Sequence, residues 1–136
     1  MAEEGLVWEE FVEGRTFEAG TREVTQDDVE SFAAVSGDRN PLHLDASYAE
    51  GTVFGRRVAH GVLGLAVATG LLNRRGLTRG TLVAFLGLTW DFVGPLYPGT
   101  EVGLRLEVRS RRGTSRPDRG LVVLGAELVA GSEVLQ

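Results

Sequence analysis

The chain has 136 residues, 43% of them hydrophobic, and a formal net charge of −5 with a pI near 5.0. That length suits one domain with a core of its own, and that apolar content excludes a disordered chain. The acidic balance argues against nucleic acid as the main partner, although a local cluster of Arg can still meet a phosphate.

The residue types that are missing exclude further chemistry. Cysteine is absent, which removes disulfides, thiolate zinc sites and thiol nucleophiles and fits a cytoplasmic location. All 14 basic residues are Arg, so Schiff-base chemistry on Lys is excluded. His43 and His60 are the only two histidines, and an imidazole-based mechanism has no other candidates. The start, Met1-Ala2-Glu3-Glu4-Gly5, lacks a basic region followed by an apolar one and reads as no signal peptide. The longest apolar stretch, Gly61 to Leu72, is too short to span a bilayer.

No repeat or low-complexity linker divides residues 1–136, which read as a single domain. Trp8 to Phe11 is a short opening segment, and Arg15 to Val24 contains a strand. Thr25-Gln26-Asp27-Asp28 is a helix start, a Thr cap with acids in the first turn, and Gly37 is its stop. Pro41 disfavours helix at Asn40 and predicts a stiff loop up to His43. Asp45 caps a helical turn over Ala46 to Glu50. The run from Gly61 is apolar on every face, which predicts a long buried helix ending at Asn73-Arg74-Arg75-Gly76. The rest reads as β. Thr81 to Trp90 continues toward Phe92, Glu101 to Ser110 alternates cleanly, Leu121 to Ala130 follows a charged loop, and Glu133 to Gln136 begins one more strand. One long helix followed by antiparallel strands is an α+β pattern.

Two segments carry the chemistry. Ser36-Gly37-Asp38-Arg39-Asn40-Pro41-Leu42-His43-Leu44-Asp45 sets a carboxylate and an imidazole five residues apart with a proline between them. Val58-Ala59-His60-Gly61-Val62 opens the apolar run. An acid, a base and a helix start with free N–H groups are the parts needed to add water next to a thioester.

These segments, in this order, resemble the MaoC-like (R)-specific enoyl-CoA hydratases, whose fold is the hot-dog. The likeness runs from about Phe17 to Ala130. Its motif, Asp-x-Asn-Pro-Leu-His-Leu-Asp, stands here from Asp38 to Asp45, and the second element is His60-Gly61. Thr69, eight residues after that Gly, and the run from Leu88 through Trp90 and Phe92 to Gly99 are weaker elements. The resemblance implies a sheet wrapped around a buried central helix, no cofactor, no metal, and a homodimer or dimer of dimers. It implies that Asp38 and His43 are the catalytic pair on one water, that Gly61 supplies an oxyanion-hole N–H, and that Asn40, His60 and Thr69 support them. Arg56 and Arg57 beside the entrance, with Val62, Trp90 and Phe92, would then meet the acyl-CoA or acyl-carrier-protein thioester. The activity implied is hydration of trans-2-enoyl thioesters to (R)-3-hydroxyacyl thioesters.

Plainer readings stand beside these. Asp38 after Gly37 is also a common turn former, and His60 either caps the helix or bonds the site loop. Thr69 either faces the sheet or bonds its own helix, and Asp45 is a helix cap. A metal site from His43, His60 and a carboxylate has no standard zinc spacing. Arg109, Arg111, Arg112, Arg116 and Arg119 read as a solvated hairpin, or as contacts to coenzyme A phosphates. The competing functions are a hot-dog acyl-CoA thioesterase and a non-catalytic acyl-thioester-binding subunit. The first does not generally carry the Asp-x-Asn-Pro-Leu-His string, and the second has no need of both Asp38 and His43.

Overall fold

Alternation is the source of the sheet. The computed structural model describes residues 4–136; the Met1 to Glu3 start, read above as no signal peptide, lies outside the described residues. Strand β1 is Thr16–Val24, β2 Thr100–Gly113, β3 Gly120–Ala130 and β4 Glu133–Val134, all antiparallel in the order β1-β2-β3-β4. Val102, Leu104, Leu106 and Val108 of β2 are buried, as the period of two requires. Leu106 pairs with Phe17 on one side and with Ala126 on the other, which brings apolar side chains of three strands onto one face.

Helix α1 is Gln26–Ser36, and the pattern Thr-x-x-Asp before it forms a capping box. The Thr25 hydroxyl accepts from Asp28 N–H at 3.1 Å, and the Asp28 carboxylate accepts from Thr25 N–H at 2.9 Å. Burial raises the Asp28 pKa, but the bond from Thr25 N–H and the Arg22 guanidinium at 2.8 Å outweigh it and hold the carboxyl below its ordinary value. Two short helices follow, α2 (Pro41–Leu44) and α3 (Ala46–Glu50), then the long α4 (Gly61–Arg75). Leu63, Val67 and Leu71 recur every fourth residue on the buried face of α4, which packs against β1, β2 and β3. Gly76, at φ +83°, ends α4 in the left-handed conformation that Gly adopts without a Cβ penalty. Among the described residues no helix is long and apolar enough to cross a membrane.

The fold departs from the sequence reading in three places. Pro41 is not a loop residue but the first residue of α2, where its missing N–H costs nothing and its fixed φ favours the helix. Helix α4 is buried on one face only, and Val62, Ala66, Thr69 and Gly70 face outward. The predicted strand from Thr81 toward Phe92 pairs with no strand among the described residues, and Leu82, Val83, Phe85, Leu86 and Leu88 are at least half exposed. Its composition is that of a strand, but pairing also needs a neighbouring edge, which composition does not reveal.

Candidate active site

The end of α1 begins the site. Gly37, at φ +79°, turns the chain out of the helix. The Ser36 hydroxyl then accepts from Asp38 N–H at 3.1 Å, and one Asp38 carboxylate oxygen accepts from Asn40 N–H at 3.2 Å. The Asn40 side chain accepts from Leu42 N–H at 3.0 Å and so caps α2. One turn of helix then delivers His43. Asn40 is thus a loop-shaping residue, and the proline after it supplies the helix start.

Besides the bond from its own N–H to the Asn40 carbonyl at 3.0 Å, three contacts fix His43. Its Nδ1–H donates to the Val58 carbonyl at 2.6 Å, since a carbonyl can only accept, and this leaves the Nε2 lone pair free. The Gln26 amide donates to the His43 carbonyl at 3.0 Å. The ring of His60 stacks on that of His43 with centroids 3.8 Å apart, inclined by 29°. His60 is buried, and its Nε2–H donates to the Asp38 carbonyl at 2.9 Å. It occupies the N-cap position of α4 but makes no side-chain cap bond, so of its two plain readings the loop contact is the one present.

One carboxylate oxygen of Asp38 and one ring nitrogen each of His43 and His60 lie within 4.8 Å of one another. Two groups that close can share one water, each at about 2.8 Å. With Val58 and Asp38 carbonyls taking one nitrogen of each ring, the set keeps the Nε2 lone pair of the half-buried His43 beside an exposed carboxylate, and the Nδ1 lone pair of the buried His60.

Gly61 is the first residue of α4, where an N–H has no acceptor within the helix. A Cβ on Gly61 would lie 2.8 and 2.9 Å from two carbons of the Phe92 ring. Trp90 donates from Nε1 to the Gln136 side chain at 2.8 Å, and the same side chain donates to the Gly61 carbonyl at 2.9 Å. Val62, Phe92 and Trp90 thus gather around the start of α4, with the first two more than half exposed.

Other expected residues lie apart. The Thr69 hydroxyl donates to Ala66 O at 2.6 Å, about 12 Å further along the helix axis from Gly61. Arg56 lays its guanidinium 4.0 Å over the Tyr97 ring and, with Arg57, Glu50, Gln26 and Pro98, lines a cleft of about 260 Å³. Gln26 therefore touches both that cleft and the main chain of His43. In the basic hairpin, Arg109 and Arg116 pair with Glu107 and Asp118 on the surface. Sequence reasoning missed Gln26, Val58 and Gln136: a carbonyl acceptor and two amide side chains carry no motif.

An antiparallel sheet around one helix, with an acid and an imidazole set against that helix's N-terminus, defines a hot-dog domain. The chain belongs to the MaoC like domain family, whose profile matches residues 10–128. It is 39% identical over 85 residues to the (R)-specific enoyl-CoA hydratase of Aeromonas caviae, a match covering 62% of each chain and so under two thirds of that relative. It is 32% identical over 130 residues to the 3-hydroxybutyryl-CoA dehydratase of Methylorubrum extorquens, covering 96% of this chain and 78% of the other. The solved structure of the (R)-hydratase from A. caviae superposes with a TM-score of 0.76 at 30% identity, over 91% of this chain and 89% of that one. The MaoC-like dehydratase from Rhodospirillum rubrum gives a TM-score of 0.86 at 27% identity, over 96% and 90%.

Proposed function

We propose that this chain hydrates trans-2-enoyl thioesters, on coenzyme A or acyl carrier protein, to (R)-3-hydroxyacyl thioesters in the cytoplasm, and catalyses the reverse dehydration. The observation that supports the reading is an Asp38 carboxylate oxygen within 4.8 Å of a ring nitrogen of His43, whose Nδ1 is committed to Val58. A water between them gives one hydrogen to Asp38 as acceptor and the other to His43 Nε2. As its oxygen attacks C3, His43 takes the proton, and charge moves through C2 to the thioester oxygen. The Gly61 N–H and the positive end of the α4 dipole stabilise that oxyanion, a term typically worth about 3 kcal/mol per donor. The imidazolium then returns its proton to C2 on the same face, so water adds syn without a cofactor. The names of the hydratase and dehydratase relatives support this reaction class. The test is crotonyl-CoA: loss of enone absorbance with no free thiol is expected, whereas thiol release would mark a thioesterase, and neither signal would mark a binding subunit.

Substrate length follows from the crowding at α4. A Cβ on Gly61 would meet Phe92, Trp90 is tied to the same turn through Gln136, and Val62 stands beside them; on this reading their bulk is the wall that shortens the acyl space. An added methylene that fits contributes only about 0.8 kcal/mol; the crowding favours short acyl chains, and the resemblance to the hydratase family, rather than the dimensions of this site, sets the expected range at roughly four to six carbons. A chain-length series with chiral product analysis checks this. Preference for very long chains contradicts the crowding, and an S product contradicts the reaction face.

The exposed apolar run Leu82 to Val93 and the outward face of α4 support assembly with a second copy. Light scattering at micromolar concentration is expected to give a dimer or a dimer of dimers. A fully active monomer would overturn this.

A further inference from the structure

His60 does more than fill the core. It is 3% exposed, yet only one of its ring nitrogens is satisfied: Nε2–H reaches the Asp38 carbonyl, while Nδ1 is buried without a partner among the described residues. For packing alone a phenyl ring would serve as well, since Phe32 meets the His60 ring edge-on at 4.8 Å and His43 covers its face. Keeping an imidazole leaves a buried lone pair unpaired, which opposes folding, and supplies a single donor aimed at Asp38.

That donor has no substitute. Asp38 otherwise bonds only to Ser36 and Asn40 of its own loop, so among the described residues the His60 bond is the one hydrogen bond tying it to the rest of the molecule. His43, by contrast, is held by Val58, Gln26 and Asn40 as well. The ring that holds Asp38 also lies flat on His43, and it belongs to the residue preceding α4.

We propose that His60 is a positioning residue that sets the spacing of the Asp38 carboxylate from the His43 imidazole, acting chiefly through its bond to the Asp38 main chain. The proposal rests on the hydratase reading for its activity readout. His60→Phe keeps the ring face and loses the donor. His60→Gln and His60→Met are close in shape and differ in having the donor or not. In His60→Phe and His60→Met, kcat with crotonyl-CoA should fall at least tenfold with KM nearly unchanged, while the melting temperature of His60→Phe stays level or rises. His60→Gln should recover most of the kcat lost in His60→Met. In an Asp38→Asn background, His60→Met should cost nothing more, because its effect passes through Asp38.

Wild-type kcat in His60→Met beside an inactive Asp38→Asn overturns the inference alone. So does an equal loss in His60→Gln and His60→Met, or a loss of kcat that merely follows lost thermal stability. Should His60→Phe not fold, the Gln and Met pair still decides. Near-normal turnover in Asp38→Asn itself overturns the reading of the pair, and this inference with it.

Discussion

Replacing Asp38 by Asn or His43 by Gln is expected to lower crotonyl-CoA turnover by about 10²–10⁴-fold, the usual worth of a positioned acid–base group. The fold should survive both changes. Asp38 is exposed, and an Asn there keeps an oxygen for the Asn40 N–H, so the loop retains its turn. His43 is half-buried, and its main chain stays tied to Asn40 and Gln26 whatever its side chain. The double variant should cost little more than either single one, because the two groups grip one water and neither works without the other. Turnover with melting temperature for all three variants checks this. Near-normal turnover in either single variant would remove that residue from the mechanism, and multiplying losses would show two independent sites.

The parts of this molecule that were legible in the sequence are those encoded locally. The Thr25 helix cap, the Gly37 and Gly76 helix stops and the alternation of β2 lie within a few residues of their causes, and each stands where it was expected, although β2 continues past Ser110 to Gly113, into residues read as a charged loop. The spacing of Asp38 and His43 was legible for the same reason: one turn and one short helix separate them. What holds them was not. The Val58 carbonyl comes from a loop 15 residues on, and the Gln26 amide from 17 residues back. The role of His60 depends on which ring nitrogen faces Asp38 across 22 residues. Such contacts are set by how α1, α2 and α4 pack, and no periodicity records that. The run from Leu82 to Val93 failed in the opposite direction. Its apolar, β-branched and aromatic content predicted a strand, but among the described residues it has no strand partner.

Gly61 offers the sharpest separation of shape from electrostatics. Gly61→Ala should leave stability unchanged or slightly raised, because Ala favours helix over Gly by roughly 1 kcal/mol. Its Cβ, however, would stand at 2.8 Å from the Phe92 ring, so the ring beside the start of α4 must shift. Turnover should fall, and adding Phe92→Ala should restore much of it. In that relieved background Gly61→Pro replaces the N–H by a ring carbon. Proline is well tolerated at the first helical position, and it asks the preceding residue for an extended conformation, which His60 already has at φ −57° and ψ 132°. Comparing Gly61→Pro/Phe92→Ala with Gly61→Ala/Phe92→Ala therefore tests whether the substrate needs access to that N–H. A further loss of about 10²–10³-fold in kcat, with little change in melting temperature, is expected if that N–H faces the developing oxyanion. Equal turnover in the two double variants would move the oxyanion site away from Gly61 and leave the glycine explained by Phe92 alone.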